Sequence, residues 1–321
     1  MKKQTVVTII KRNPANDYVR KSLPERVDII RDACAETEYF IKNRNQNINP
    51  SDIRAVVIAP EYFLSKNYIA SLGREALFIH RNEMLAVREE IAKISEQYKN
   101  VVIIPGTVGY LKEVTPLRAV KALDRLAAET GQGLALTLPS GIGSYAEYKE
   151  FWRLKLSDPA AAFYIYSNSM FAFFNGNIWK HRKTLGFHEN KDAPEHILSI
   201  NRTDESFVAD IAGRAFGLEI CFEHAMGSLT AFPNTAAVDF HIVASDYVVR
   251  QDQHVKLKSD GYFIHASTEP GQIVVHDFNR REIYVTARVD QSLNFYVINT
   301  PEPAYRLRRA AFRDTKPVAL S

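Results

Sequence analysis

Three residues that lie far apart in the sequence have the chemistry of a nucleophilic site. Glu61 directly follows the apolar run 55–59, Lys183 follows a predicted hairpin strand, and Cys221 ends the apolar run 217–220. A thiol needs a nearby base to become a thiolate at neutral pH, and an anionic tetrahedral intermediate needs a positive charge or an N–H donor beside it. Residues at the carboxyl ends of strands lie where α/β sheets bind ligands. The pattern therefore predicts that the carboxylate, the amine and the thiol converge on one edge of the fold.

The other reactive residue types favour neither a metal nor a cofactor. Cys34 lies on the apolar face of a predicted helix, which indicates a core position, and two cysteines cannot form a disulfide framework or a four-cysteine zinc site. The histidines lack the i,i+4 or short paired spacing of zinc ligands. The sequence has no GxxxxGKS or GxxxxGKT segment, and Gly141-Ile142-Gly143 lacks the third glycine of a dinucleotide fingerprint.

Composition restricts the class of protein. The 321 residues are 46% hydrophobic and 24% charged, which is typical of a globular chain and excludes a disordered or fibrous one. Lys+Arg 41 against Asp+Glu 37 gives a net charge of +4 without a cluster of like charges, so we expect no nucleic-acid partner. No apolar run reaches the about 18 residues of a membrane span. The apolar stretch 6–10 is too short for an export signal, and free thiols suit a reducing compartment, so a cytoplasmic location is expected.

The order of predicted elements indicates an α/β fold. Strands at 5–10, 55–59 and 101–104 alternate with two helices, the first opened by a Ser22–Glu25 capping box and the second carrying an apolar stripe from Met84 to Tyr98. After about residue 160, hairpins dominate, with turns at 175–177 and 212–214. Further strands are predicted at 239–244, 262–266, 272–276, 283–289 and 294–298. A mixed sheet, or two packed sheets with helices outside, fits this order.

Residues 111–162 stand apart from this pattern. Leu117, Val120, Leu123 and Ala127 predict an amphipathic helix, and an aromatic stripe follows between residues 145 and 156. These helices either pack on the body of the protein or form a lid or a subunit contact. We therefore expect one α/β domain over residues 1–321 with a helical insertion at about 111–162.

Three motifs in order resemble the nitrilase superfamily, the carbon–nitrogen hydrolases, and lean toward its nitrilase-like branch. Pro60-Glu61-Tyr62-Phe63 is similar to the family's glutamate motif, and His181-Arg182-Lys183-Thr184 to its H/Y-R-K motif. The segment 217–224, GLEICFEH, resembles its cysteine motif. Pro105-Gly106-Thr107 and Asn168-Ser169 resemble connecting segments of the family. The likeness extends over most of the chain.

The resemblance implies a fold and a set of catalytic roles. The fold is an α-β-β-α sandwich, usually assembled as a homodimer or a higher homo-oligomer. Glu61 would be the general base, Lys183 the group that stabilises the tetrahedral intermediate, and Cys221 the nucleophile. A second family glutamate that follows the lysine would be Glu189, with Glu195 as the alternative.

The expected activity is hydrolysis of a small-molecule nitrile or amide to a carboxylic acid and ammonia through a thioester, without a cofactor or metal. Preference for an amide, a nitrile or an N-carbamoyl group is left open. Residues near the nucleophile and after the strand at 239–244 are the expected substrate-binding residues: Phe222, His224, Ser245, Asp246 and Tyr247. The alternative is a catalytically inactive chain that keeps the fold as a binding or assembly module.

Overall fold

The computed structural model describes residues 3–12, 17–44, 48, 52–65, 78–115, 146, 147, 150, 153, 163–184, 197–199, 207–232 and 235–300. The strands are β1 Gln4–Ile10, β2 Ala55–Ile58, β3 Ile79–His80, β4 Val101–Ile104, β5 Thr107–Val114, β6 Phe163–Phe174, β7 Asn177–Arg182, β8 Ile197–Ser199, β9 Val208–Ile211, β10 Arg214–Ile220, β11 Val238–Ser245, β12 Leu257–Ser267, β13 Val274–Asp277, β14 Ala287–Val289 and β15 Leu293–Asn299. The helices are α1 Leu23–Asn43, α2 Arg81–Gln97, α3 Phe222–Met226 and α4 Ser228–Ala231.

These strands form two sheets. The larger has the order β14-β15-β1-β2-β4-β6-β5-β3, with β7 and β8 also paired to β6. Its centre, β1-β2-β4, is parallel, and the flanking pairs β1–β15 and β4–β6 are antiparallel. The smaller sheet has the order β13-β12-β11-β10-β9, with β10, β11 and β12 parallel. Each sheet therefore has parallel strands whose carboxyl ends can share one site.

Apolar side chains on both faces of the central strands fix the layers. In β2, Val57 packs toward α1 and α2, whereas its neighbour Ile58 belongs to the core between the two sheets, since successive strand residues point to opposite faces. On the far side of the smaller sheet, Val243 packs with Leu229 of α4. The order of layers is helix, sheet, sheet, helix, and the predicted mixed α/β sandwich is confirmed.

Local signals place the two long helices. Ser22 caps α1, its backbone N–H donating to Glu25 Oε2 at 2.7 Å, as the capping box predicted. The same arrangement opens α2, where the His80 N–H donates to Glu83 Oε2 at 2.7 Å. Among the helices that the structure describes, none has the length and apolar character that a membrane crossing requires.

Some predicted boundaries differ from the structure. The strand predicted at 283–289 is confined to β14, and residues 270–272 form a 3₁₀ turn before β13. Residues 111–114 belong to β5, which pairs with β6 along its whole length. Of the rest of the predicted insertion, the structure describes only 115, 146, 147, 150 and 153, the last four of which are helical, so its packing or lid role lies outside the described residues.

Candidate active site

Cys221 occupies a sharp turn between β10 and α3. Its backbone angles are φ +48° and ψ −106°, a left-handed conformation that costs a non-glycine residue about 1–3 kcal/mol. The Cys221 N–H donates to Ala244 O of β11 at 3.0 Å, and its carbonyl accepts from His224 N at 2.9 Å. The turn therefore holds the cysteine at the carboxyl end of a central parallel strand.

Glu61 reaches the same place from the other sheet. It follows β2, is almost fully buried, and its backbone N–H donates to Ser245 O at the end of β11 at 3.3 Å. Its Oε2 accepts from the Asp246 N–H at 3.2 Å. Its Oε1 accepts from Asn168 Nδ2 at 3.0 Å. The site thus lies between the two sheets, whereas the sequence pattern predicted only a shared edge.

Lys183 completes the group at the end of β7. Its ammonium donates to Glu61 Oε1 at 2.9 Å, and its side chain is 4% exposed. Its backbone N–H donates to Asn168 O at 2.9 Å, so one asparagine positions both the acid and the amine. Without ordered partners a buried ammonium would be costly. The structure therefore brings the three predicted residues together, although they lie 160 positions apart at most (221 − 61).

The electrostatics keep the cysteine protonated at rest. Burial, and then the negative charge of Glu61, raise the pKa of Cys221, and the ammonium of Lys183 acts in the opposite direction. A hydrogen bond between the thiol and the Glu61 carboxylate raises this pKa further, while the Asp246 N–H near the sulfur lowers it. The thiol proton therefore already faces the carboxylate that would accept it.

The segment 105–107 and Arg26 hold Glu61 in place. Thr107 Oγ1 accepts from the Tyr62 N–H at 2.9 Å, and Thr107 O accepts from Leu64 N at 3.2 Å. From α1, the buried Arg26 donates to the carbonyl of Phe63 at 3.0 Å and also to that of Ser65. The chain after β2 is therefore fastened from two directions.

A second buried carboxylate, Glu223, joins the cysteine turn to the lysine strand. Its Oε2 pairs with His181 Nε2 at 2.8 Å and accepts from Ile220 N at 2.7 Å. Its Oε1 accepts from both the backbone N–H and the hydroxyl of Thr184, at 2.6 and 2.8 Å. Glu223 thus contacts His181 and Thr184, which lie two residues before and one residue after Lys183, and also the residue before Cys221.

The predicted substrate-binding residues differ in where they lie. Phe222 is the half-buried first residue of α3, Asp246 is half-buried beside Glu61, and Tyr247 is 58% exposed. Ser245 is fully buried, with its hydroxyl 2.7 Å from His265 Nε2. His224 is fully buried behind the cysteine turn. Glu189 and Glu195 lie outside the described residues.

His224 belongs to a cluster with Glu219 and His241 that has the residue types of a metal site. The ligand atoms lie within 4.8 Å of one another. However, His224 Nδ1 and His241 Nε2 both face Glu219 Oε2 at 2.8 Å, while the other nitrogen of each ring accepts a backbone N–H, from Gln251 and Lys256. The ring nitrogens that face Glu219 are therefore the donors of this network, and all three side chains are hydrogen-bonded within it.

Burial and the hydrogen bonds of this cluster shift the pKa values of Glu219 and His224. Burial raises the pKa of Glu219, but the two histidine donors more than offset it, so its pKa is lowered. Burial lowers the pKa of His224. Glu219 Oε1 also accepts from the Leu229 N–H at 2.7 Å, so both oxygens of this carboxylate have hydrogen-bond partners.

Sequence reasoning did not assign three of these residues to the site. Asn168 and Glu223 stand inside the quoted motifs, so their position beside the other motif residues was a usable signal. Nothing in the sequence marked Arg26 as part of the site, because an arginine on an amphipathic helix is usually exposed to solvent.

Solved structures of other proteins resemble this chain in fold, although their sequences are only 10–13% identical to it. No family model and no curated protein matches the sequence. The structure of Saccharomyces cerevisiae Nit3, a member of branch 10 of the nitrilase superfamily, is 13% identical over 92% of this chain and 90% of its own, with a TM-score of 0.48. A mutant of the Nesterenkonia amidase from the nitrilase superfamily is 10% identical over 93% and 92%, with a TM-score of 0.47. For a glutamine-dependent NAD(+) synthetase from Cytophaga hutchinsonii the identity is 10% over 94% of this chain and 44% of that one, with a TM-score of 0.47.

Proposed function

We propose that the protein is a cysteine-dependent hydrolase of non-peptide carbon–nitrogen bonds, of the nitrilase-superfamily type. One observation carries the proposal: the buried Glu61 carboxylate accepts from the ammonium of Lys183 at 2.9 Å and also raises the pKa of the Cys221 thiol. An acid, a cation and a nucleophile in one water-poor place are the components of acyl transfer through a thioester.

Acylation starts from the protonated thiol. Its proton passes to Glu61 as the Cys221 sulfur attacks the carbonyl carbon of an amide. Lys183 and the N–H of Phe222 stabilise the negative charge on the oxygen. The carbon–nitrogen bond then breaks, and ammonia leaves with the proton from Glu61, which gives a thioester on Cys221. A nitrile would first give a thioimidate, which takes up water and loses ammonia to give the same thioester.

Deacylation uses Glu61 again. A water molecule gives a proton to Glu61 and its oxygen attacks the thioester carbon. The carbon–sulfur bond breaks, the sulfur regains the proton, and the carboxylic acid is released. The only groups required are a base that alternates between two proton donors and a fixed cation, and both are present in the buried cluster.

The test is a screen of simple amides, nitriles and N-carbamoyl amines for ammonia release, followed by Cys221→Ala. We expect this substitution to lower turnover at least about 10³-fold, because it removes the nucleophile, and to abolish covalent labelling by iodoacetamide at this position. Cys34→Ala is the matched control, since Cys34 is fully buried on α1 and should not affect either readout.

Retained ammonia release in Cys221→Ala would refute the thioester mechanism. Absence of turnover with every compound, combined with a thiol that is not alkylated between pH 7 and 10, would instead favour an inactive binding or assembly module. Association into a homodimer stays a prediction, which light scattering of the purified chain would test.

A further inference from the structure

A small cavity lies beside the Glu61 carboxylate. Its volume is about 20 Å³, and the residues that line it include Tyr18, Tyr62, Asp246 and Thr268. A space of this size can hold a water molecule. Its position connects it to the nucleophile, because Glu61 and Asp246, which line it, also affect the pKa of the Cys221 thiol.

Tyr18 lines this cavity and has a buried hydroxyl. The residue is 3% exposed, and its hydroxyl has no hydrogen-bond partner within the part of the chain that the structure describes. Arg12, Arg26 and Asp246, whose charges act on this hydroxyl, also line the cavity. A buried hydroxyl without a partner is uncommon, because it loses its hydration without compensation.

The tyrosine is held rigidly in this orientation. Its 3₁₀ turn, Tyr18–Arg20, is capped by Asp17, whose side chain accepts from the Val19 N–H at 3.3 Å. The Tyr18 ring packs on Phe63, with ring centroids 4.6 Å apart. Arg26 donates to Val19 O at 2.9 Å and also to the carbonyl of Phe63, so it joins the tyrosine turn to the segment that carries the acid.

We propose that Tyr18 is a water-binding residue of the hydrolytic site, whose hydroxyl holds, beside Glu61, the water that cleaves the thioester. This inference rests on the proposed function. The Tyr18 O–H donates to the water oxygen, and the water donates one proton toward Glu61, which leaves a lone pair of the water free for attack. When the oxygen bonds to the acyl carbon, Glu61 takes the proton, the carbon–sulfur bond breaks, and the sulfur recovers the proton as the acid leaves.

The hydroxyl suits this role because it stays protonated. Burial, the largest effect, raises the pKa of Tyr18, so the group remains a neutral donor through the pH range in which Glu61 acts. Loss of the hydroxyl should therefore slow deacylation and leave acylation unchanged, since acylation uses the thiol, Glu61, Lys183 and the Phe222 N–H.

p-Nitrophenyl acetate separates the two steps. Acylation of Cys221 releases a burst of p-nitrophenolate equal to the enzyme present, and hydrolysis of the acetyl thioester sets the later steady rate. We expect Tyr18→Phe to keep the burst rate of the wild type and to lower the steady rate about three- to tenfold, the effect of one lost hydrogen bond to a neutral group. Added hydroxylamine, which attacks the thioester without a bound water, should reduce the difference. Tyr296→Phe is the matched control: it removes a hydroxyl that is equally buried but bonded to Asn294 in the larger sheet.

The outcomes distinguish this inference from the proposed function. A wild-type burst that depends on Cys221, together with an unchanged steady rate in Tyr18→Phe, would refute the role of Tyr18 alone. No burst in the wild type would refute the thioester and this inference together. Thermal unfolding gives an independent check: a higher melting temperature for Tyr18→Phe would show that the hydroxyl has no water partner and would overturn the proposal, whereas an equal or lower one supports it.

Discussion

Gly106→Ala should damage the site through the backbone, although Gly106 has no side chain that could contact a substrate. Its φ is +71°, and a Cβ atom built on it would lie 2.0 Å from Pro60 O and 3.0 Å from Phe63 Cβ. Gly213, in the turn between β9 and β10, has a similar φ of +78° but no heavy atom within 4 Å of a Cβ. Gly213→Ala therefore reports the cost of the backbone conformation alone, and the difference between the two variants reports the contact with Pro60.

The expected magnitudes follow from this comparison. A left-handed backbone costs alanine about 1–2 kcal/mol, so Gly213→Ala should lose about that much stability. At Gly106 an added clash with backbone costs about 1–3 kcal/mol more, for a total loss of about 2–5 kcal/mol. Relief of a 2.0 Å approach needs a shift on the order of 1 Å in Pro60. Since Glu61 is the next residue, a displacement of this size should slow acylation about 100-fold.

Two measurements check this prediction. Guanidinium unfolding, extrapolated linearly to water, gives the free energy of unfolding of each variant, and the p-nitrophenolate burst rate gives acylation of Cys221 in the folded protein. We expect Gly213→Ala to keep the wild-type burst rate. Equal stabilities for the two variants, or a burst rate in Gly106→Ala within about threefold of the wild type, would contradict the argument that Pro60 positions Glu61.

Three further predictions test the electrostatics of the site. Glu223→Gln replaces a carboxylate that accepts four hydrogen bonds, so at least one buried donor loses its partner. We expect the free energy of unfolding to fall by about 3 kcal/mol and the p-nitrophenolate burst to become slower. The exposed control Glu89→Gln should change neither quantity measurably. Glu61→Gln should lower the pKa of Cys221, because it removes a negative charge that raises this pKa. Alkylation of Cys221 by iodoacetamide at pH 8 should therefore become faster, while hydrolysis is lost. Slower alkylation would show that the two residues are not coupled. Burial lowers the pKa of His265 to about 3, whereas the pKa of an unfolded histidine is about 6.5. The contribution of His265 to stability is therefore complete above about pH 6.5 and is lost as the pH falls toward 3. Between pH 7 and pH 4.5 the free energy of unfolding should drop by about 3 kcal/mol more in the wild type than in His265→Gln, and parallel pH curves would contradict this assignment.

The parts of the site that the sequence predicted are those with a local signal. Glu61, Lys183 and Cys221 each follow a strand, and strand runs such as 55–59 are recognisable because both faces of β2 are apolar. The convergence of these residues from two different sheets was not predicted, since sequence patterns show where strands end but not which sheet contains them. The contact between Glu61 N and Ser245 O, which joins the sheets, spans 184 positions (245 − 61).

The parts that the sequence did not predict depend on the direction of side chains. His224 stands three residues after the nucleophile, and proximity suggested a place near the substrate. The His224 ring instead pairs with Glu219, whose other oxygen accepts from Leu229 N of α4. Tyr18 and Arg26 contact the Glu61 segment from about 40 positions away, through carbonyl groups and ring faces, and no residue pattern encodes such contacts.

The three buried carboxylates of the site have different partners, and these partners separate their roles. Glu219 and Glu223 flank Cys221 in the sequence, and each is hydrogen-bonded to a histidine of a neighbouring strand. The partner of Glu219 is His241 of β11, and the partner of Glu223 is His181 of β7. A left-handed cysteine persists only where its surroundings over-determine it, and these two acids supply that constraint on either side of the turn. Glu61 raises the pKa of the Cys221 thiol, so a charge-removing change at Glu61 acts on the proton of the thiol itself, whereas the same change at Glu219 or Glu223 should act through stability and geometry.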